Sequence, residues 1–95
     1  MYTVPRHIQL LQTNCRLLTD NMDPDSGLLA DLLSRRVVTH REMETVRAGR
    51  TFYDRNEQLL SVMRRKTESE FREFVAALAR NEMKHLAAAL ETHPS

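Results

Sequence analysis

The sequence contains no tryptophan and few of the residues that interrupt helices. Among its 95 residues are two glycines and three prolines. β-Branched residues do not cluster as they do in strands, whereas the strong helix formers alanine, leucine, glutamate, arginine and methionine dominate. A chain of this length can bury one modest core. We therefore predict an all-α fold in a single domain over residues 1–95, with an ordered core over roughly residues 5–91.

Cysteine and long apolar runs are also scarce. Cys15 is the single cysteine, so no disulfide can form within the chain, which favours a reducing compartment. No apolar run approaches the ~20 residues of a membrane-spanning helix, and the N-terminus has no apolar signal-peptide segment. These absences predict a cytoplasmic protein with no membrane partner.

Common catalytic and ligand-binding motifs are missing as well. The four histidines fall on four different predicted segments, and no Cys-x-x-Cys or His-x-x-x-His pair is present to hold a metal. There is no glycine-rich phosphate loop and no Gly-x-Ser-x-Gly motif. Cys15 lies on an apolar stripe, where a buried and unreactive thiol is expected. We predict no enzyme activity, no catalytic residue, no metal and no cofactor.

What the sequence does contain is a series of six amphipathic helices joined by short links. The first has an apolar stripe that is interrupted at Asn14, which predicts a kink there. Asp23 or Asp25 is the expected N-cap of the second helix. The segments Thr39–Glu42 and Thr67–Glu70 have the form of capping boxes, and they predict where the third and fifth helices begin.

The clearest local pattern is a helical hairpin between Thr51 and Leu78. At helical spacing its two inward faces are predicted to consist of Phe52, Leu59, Leu60 and Met63, then Phe71, Phe74, Val75 and Leu78. A cationic run, Arg64-Arg65-Lys66, joins the two helices. A sixth helix is expected after Asn81, with its end at Pro94.

Charge is unevenly distributed, although the net charge is only +1. Residues 17–34 carry four aspartates and no lysine or arginine, whereas residues 35–66 carry eight arginines and one lysine against four acids. Such segregation produces an acidic flank and a basic flank, which can attract another copy or a polarised partner. The alternative is a solvated mixed surface that confers solubility only.

Seven segments follow one another along the chain. They are Ile8-Gln-Leu-Leu11, Cys15-Arg-Leu-Leu18, Leu29-Ala-Asp-Leu-Leu-Ser-Arg35, Val38–Gly49, Asn56-Glu-Gln-Leu-Leu60, Phe71–Leu78 and His85–Leu90. No single segment is specific, but the ordered set at this spacing is, and it resembles a caspase-recruitment domain (CARD), a branch of the death-fold superfamily. The resemblance covers nearly the whole chain, from about Arg6 to Leu90.

The resemblance implies a six-helix antiparallel Greek-key bundle with a kinked first helix and no catalytic residues. It implies binding to another CARD-containing protein, to itself as a homo-oligomer or filament, or to both, in apoptotic or innate-immune signalling. Family members often pair basic residues of helices one and four with acidic residues of helices two and three. The positions that match here form a basic face of Arg16, Arg55, Val62, Arg64 and Arg65, with Val62 as its exposed apolar centre. The matching acidic face consists of Asp25, Asp31, Glu42 and Glu44.

Three departures from the family pattern make the division into a basic face and an acidic face less distinct. Glu57 stands on helix four where a strongly basic CARD has arginine, and Arg35 and Arg36 stand where a strongly acidic CARD has acids. Lys66-Thr67 replaces the Lys-Gly or Arg-Gly common between helices four and five. Either a self-assembling domain or a one-sided recruiter fits this pattern.

Two other protein classes fit parts of the sequence. Helices two and three with the turn Arg35–Val38 form a candidate helix-turn-helix, which would present Thr39, Arg41, Arg47 and Arg50 to DNA. The turn lacks glycine, two glutamates would face phosphate, and the net charge is low for such a task. We therefore predict no nucleic acid partner. Death domains and pyrin domains share the expected architecture, and the pattern does not separate them from a CARD.

Overall fold

The computed structural model describes residues 3–91, which form seven α-helices and contain no strand. Their bounds are α1 (Arg6–Thr13), α2 (Cys15–Asn21), α3 (Leu28–Ser34), α4 (His40–Arg47), α5 (Phe52–Met63), α6 (Glu68–Arg80) and α7 (Lys84–Leu90). Helices α1 and α2 are the two halves of the predicted first helix, so α3 to α7 correspond to the predicted second to sixth helices. The all-α prediction is confirmed. Pro94 lies outside the described residues.

The predicted kink in the first helix is confirmed at Asn14. Its backbone leaves the helical region (φ −102°, ψ 13°), and its side-chain Nδ2 donates to the Leu10 carbonyl over 2.9 Å. The Asn14 backbone N–H donates to the same carbonyl, and the Asn14 carbonyl accepts from the Leu18 N–H. Backbone hydrogen bonds therefore reach Asn14 from the helix on either side, and the amide side chain that competes for the Leu10 carbonyl explains the change of direction.

Three threonine caps fix the starts of α4, α5 and α6. Thr39 and Thr67 each accept from the backbone N–H three residues later, and the glutamate at that position accepts from the threonine N–H in return. Both predicted capping boxes are thus confirmed. Thr51 caps α5 by accepting from the Asp54 N–H over 3.0 Å. Each such cap is worth ~1 kcal/mol of helix stability.

The start of α3 differs from the prediction. Asp23 and Asp25 do not cap it, because α3 begins after Gly27, whose φ is +107°. The Asp23 carboxylate instead accepts from the Asp25 N–H over 3.0 Å in a local turn. Glycine is needed at position 27 for two reasons, since a Cβ there would be strained and would come 2.9 Å from the Asn81 side-chain oxygen.

The core contains the apolar stripes of all seven helices. Its fully buried large side chains are Leu11, Leu18, Leu28, Leu29, Leu32, Leu59, Leu60, Met63, Phe74, Leu78, Leu86 and Leu90. The predicted inward face of α6 is confirmed. The prediction for Phe52 is wrong, because this residue is 49% exposed. It occupies the first position of α5, and the Arg55 guanidinium lies 5.8 Å from the centre of its ring.

The predicted exposure of Val62 is also wrong, because this side chain is only 2% exposed. Helix α5 packs against α2 and against α4, so it is covered on two sides. Its buried residues are Asn56, Leu59, Leu60, Val62 and Met63, a wider face than one apolar stripe implies. Val62 belongs to the core and cannot be the apolar centre of an exposed basic face.

A buried amide holds α2 against α5. Asn56 is fully buried, and its Nδ2 donates to the carbonyls of Thr19 (3.1 Å) and Met22 (2.9 Å). These carbonyls stand at the C-terminal end of α2, where the helix has no internal donors for them. The Asn56 Oδ1 accepts no hydrogen bond within residues 3–91. Within the same residues, no helix has the length and apolar character that crossing a membrane requires.

Candidate protein interaction surfaces

Three arginines form an exposed cationic corner where α2 meets the C-terminal end of α5. We define this corner as Arg16, Arg64 and Arg65. The Arg64 Nη2 lies 3.6 Å from the Sγ of Cys15, which is the neighbour of Arg16 in α2. The C-terminal end of a helix carries partial negative charge, so α5 favours cations here. Cys15 is half-buried rather than fully buried as expected.

The charges of the cationic corner are weakly compensated within the described part of the chain. Arg16 is 95% exposed, and its nearest carboxylate is Asp20 at 3.8 Å, one helical turn away. An exposed pair at that distance contributes little. Arg64 and Arg65 are exposed and form no ion pair within 4 Å among residues 3–91, although Arg65 is close enough to Glu42 to help lower the pKa of that carboxyl group. The corner therefore presents three cations to solvent.

Arg55 does not belong to this corner, contrary to the prediction. Its Nη1 lies 2.7 Å from the Asp25 Oδ2, and its Nε donates to the Gly49 carbonyl over 3.0 Å. Gly49 allows this close approach, because a Cβ there would come within 2.8 Å of the Arg55 backbone nitrogen. A residue predicted for the basic face thus forms an ion pair with one predicted for the acidic face. Their assignment to two separate docking faces stays a prediction.

Asp31 also binds within the domain rather than projecting freely into solvent. Its side chain is 18% exposed, and Arg80 binds both carboxylate oxygens, at 2.9 and 3.1 Å. Asn81 Nδ2 donates over 3.1 Å, and Arg35 Nε lies at 3.4 Å. The hydrogen bond from Arg80 is the largest influence and lowers the pKa of Asp31, against the opposing effect of burial. This carboxylate ties α3 to the end of α6.

Glu42 serves two structural roles at the start of α4. It completes the capping box with Thr39, and its two oxygens lie 3.0 and 3.1 Å from the Lys66 Nζ. Burial raises the pKa of Glu42, but the Thr39 N–H and the Lys66 ammonium outweigh it, so the net shift is downward. Glu44, two residues further along α4, is exposed and has no ion pair among residues 3–91.

The charged residues that depart from the family pattern also have definite places. Arg35 lies 3.9 Å from a carboxylate oxygen of Glu73, in addition to its contact with Asp31. Glu57 is exposed on α5 and, with a smaller effect from burial, raises the pKa of the neighbouring Tyr53 hydroxyl. No group of three His, Cys, Asp or Glu side chains in the described residues is arranged to hold a metal.

We expect the domain to lose stability in acid because of Asp31 and Glu42. Both have a folded-state pKa below the ordinary values of 3.8 and 4.5. The stabilisation is therefore complete above about pH 5 and is lost as pH falls through the lowered pKa values. Urea unfolding between pH 7 and pH 3 measures this loss. An Asp31→Asn variant should start ~1–2 kcal/mol lower at pH 7 and lose less stability in acid. Equal acid sensitivity in the variant and the wild type contradicts this assignment.

The fold and surface together define a class of protein: a small all-α bundle whose distinctive exposed features are charged patches, as in helical protein-interaction domains. Residues 8–93 match the family model of the caspase recruitment domain, CARD, and the chain belongs to this family. No curated protein matches the sequence at a significant level. The predicted resemblance is confirmed, and the helices of the structure are consistent with the CARD death-fold bundle. A CARD is a protein-interaction domain, which makes this chain a homotypic interaction module of death-fold signalling.

Proposed function

We propose that this CARD is a cytoplasmic module of apoptotic or innate-immune signalling that recruits another CARD-containing protein through its cationic corner. The observation that supports this most directly is that the predicted basic and acidic faces differ in how far their charges are paired within the domain. Arg16, Arg64 and Arg65 are exposed with little internal compensation, whereas most of the predicted acids are paired within the domain. The partner surface that fits three exposed arginines carries unpaired carboxylates.

The corner is suited to guide association as well as to bind. Arginine is preferred where planar, bidentate contact with carboxylates is needed. Cations clustered at one site accelerate encounter with a negative surface, and this effect is screened beyond ~8 Å at physiological salt. Recruitment should therefore weaken steadily as ionic strength rises. No catalytic step is involved in this proposal.

Charge reversal of the corner tests the proposal. In an Arg64→Glu plus Arg65→Glu variant, we expect at least ~30-fold weaker binding to CARDs with acidic surfaces, because like charges then face each other. The measurement is fluorescence anisotropy against a panel of purified CARDs that span negative to positive net charge. Wild type should bind the acidic members, and its affinity should fall with added salt.

A matched control is available at the end of α4 and in the loop that leads to α5. Arg47→Glu plus Arg50→Glu changes the net charge equally, and both residues are exposed with no ion pair among residues 3–91. They precede the start of α5, which is about 18 Å long for its twelve residues. The control should bind within about threefold of wild type. If the corner variant binds every panel member as tightly as this control does, the cationic corner is not the recruiting surface.

A further inference from the structure

Three ion pairs bind most of the acidic residues that the family pattern assigns to a docking face. Their shortest N–O distances are 2.7 Å for Arg55–Asp25, 2.9 Å for Arg80–Asp31 and 3.0 Å for Lys66–Glu42. We call these three contacts the internal ion pairs. Each joins elements far apart in the sequence, by 30, 49 and 24 residues respectively. They help to close the bundle, since they connect the loop before α3, α3 itself and α4 to α5, α6 and the loop between α5 and α6.

A carboxylate that already holds a cation is a poor acceptor for a second one. The side chains of Asp31 and Glu42 are 18% and 23% exposed, so an incoming arginine can approach only part of each. To form its own contact it has to displace Arg80 or Lys66, and the displaced cation then repels it. The net field outside each internal ion pair is small. The lowered pKa values of both carboxyl groups agree with strong internal compensation.

The remaining charge on α3 and α4 is positive rather than negative. Between residues 28 and 47 there are three acids, Asp31, Glu42 and Glu44, and four arginines, of which Arg35 lies against Asp31 and Glu73 and the other three are Arg36, Arg41 and Arg47. With Asp31 and Glu42 neutralised, Glu44 is the carboxylate left exposed in this range. A second copy that approached with its cationic corner would meet arginines.

We propose that the internal ion pairs make this CARD a one-sided recruiter. Through its cationic corner it binds a separate CARD that has unpaired carboxylates, and it does not bind a second copy of itself. This inference rests on the proposed function, since it takes the cationic corner as the recruiting surface. It identifies the partner by chemistry, as a CARD whose second and third helices carry acids without internal cations. It also answers the question that the sequence leaves open between self-assembly and recruitment.

Removing the internal cations tests this inference, because the variant should gain a self-association that the wild type lacks. Lys66→Gln plus Arg80→Gln removes the closest cation from each carboxylate, so Glu42 is left without an ion pair and Asp31 keeps only the longer contact with Arg35 at 3.4 Å. We expect wild type to stay monomeric at low salt, and the double variant to self-associate at least ~10-fold more tightly, as measured by sedimentation equilibrium and light scattering. Adding Arg64→Glu and Arg65→Glu to the double variant should abolish this gain. Arg47→Gln plus Arg50→Gln removes the same charge without releasing a carboxylate, and it should remain monomeric.

Fold integrity is checked by circular dichroism. Should the double variant unfold, Lys66→Gln alone provides the test, because it removes the ion-pair partner of Glu42 while the Thr39 N–H still holds this carboxylate. In that case the single variant should bind wild type, and this binding should require Arg64 and Arg65 of the wild-type copy.

Two results overturn the inference. One is self-association of wild type that is lost on reversing Arg64 and Arg65, since the acidic face then accepts a second copy despite its internal pairs. The other is a folded released variant that stays monomeric. The panel experiment above separates these results from failure of the proposed function. If the corner is required for the acidic panel members but wild type still assembles through it, only the one-sidedness is wrong.

Discussion

Phe74→Ala is expected to lower the free energy of unfolding by ~3–5 kcal/mol. The Phe74 side chain has no solvent-accessible surface and packs in the core, because it lies on the buried face of α6. Truncation removes the transfer free energy of the ring and leaves a cavity that a well-packed bundle fills only partly. A domain of this kind has a total stability of only ~5–15 kcal/mol, so the variant should be marginally folded.

The matched control is the same substitution at Phe52. This ring is 49% exposed and contacts the Arg55 guanidinium at 5.8 Å, an exposed cation–π contact worth ~0.5–1 kcal/mol. Phe52→Ala should therefore cost no more than about 1 kcal/mol. Urea unfolding followed by circular dichroism measures both. Comparable losses at the two positions would contradict the exposed position of Phe52 and would mean that it is a core residue, as the sequence pattern predicts.

Much of the fold could be predicted because it is encoded locally. A capping box involves only four consecutive residues, and the apolar stripe of α6 repeats at helical spacing without a break. The kink at Asn14 is likewise local, because the Asn14 side chain itself donates to the Leu10 carbonyl. The prediction that Phe52 is buried is wrong because helical periodicity does not distinguish the first residue of a helix, which lies beyond the edge of the core, from residues further along. The sequence does not reveal that Gly27 is the N-cap of α3, because the close approach of Asn81 to its backbone depends on the tertiary packing.

The interaction surface was less predictable, because charge pairing is a property of the tertiary structure. The sequence segregates acids from bases along the chain, which suggests two surfaces reserved for partners. The fold instead brings the two groups together, so that Asp31 contacts Arg80 across 49 positions. Neither Arg80 nor Lys66 carries a local signal of its role. The cationic corner was predictable in part, since Arg64 and Arg65 occupy a short loop at a helix end.

Internal pairing also decides which residues are suitable for charge reversal, as Arg55 shows. From the sequence alone, reversing its charge is an obvious test of docking. In the structure Arg55 holds Asp25 and the Gly49 carbonyl, so Arg55→Glu breaks an internal ion pair and places two acids together. Any loss of binding would then mix altered packing with altered recognition. Arg64 and Arg65 avoid this ambiguity because they form no internal ion pair among residues 3–91.

Asn56→Asp is expected to destabilise the domain by ~3–5 kcal/mol at pH 7 while changing its shape very little. The amide of Asn56 donates to the carbonyls of Thr19 and Met22 in a fully buried site. A carboxylate of the same size has no proton to donate, so it would face two carbonyl oxygens without compensation. Burial and these oxygens both disfavour the charged form, which raises the pKa of the new carboxyl group in the folded state.

The pH dependence distinguishes this effect from a simple loss of packing. A carboxyl group with a raised folded pKa is uncharged in both states below its unfolded value of about 3.9, so most of the penalty is absent there. The penalty grows as pH rises and is complete above the raised pKa. The difference in unfolding free energy between wild type and Asn56→Asp should therefore shrink towards pH 4, measured by urea unfolding at each pH.

The same substitution at an exposed position provides the control. Asn21 lies in the last turn of α2, and its Nδ2 donates to the Leu17 carbonyl over 2.8 Å in an exposed setting. Asn21→Asp adds a negative charge at a helix C-terminus, which costs only about 0.3–1 kcal/mol because water solvates the carboxylate. A large, pH-dependent penalty at position 56 and a small one at position 21 would show that the buried amide holds α2 against α5. A penalty at position 56 that stays constant between pH 4 and pH 7 would contradict a buried carboxylate there.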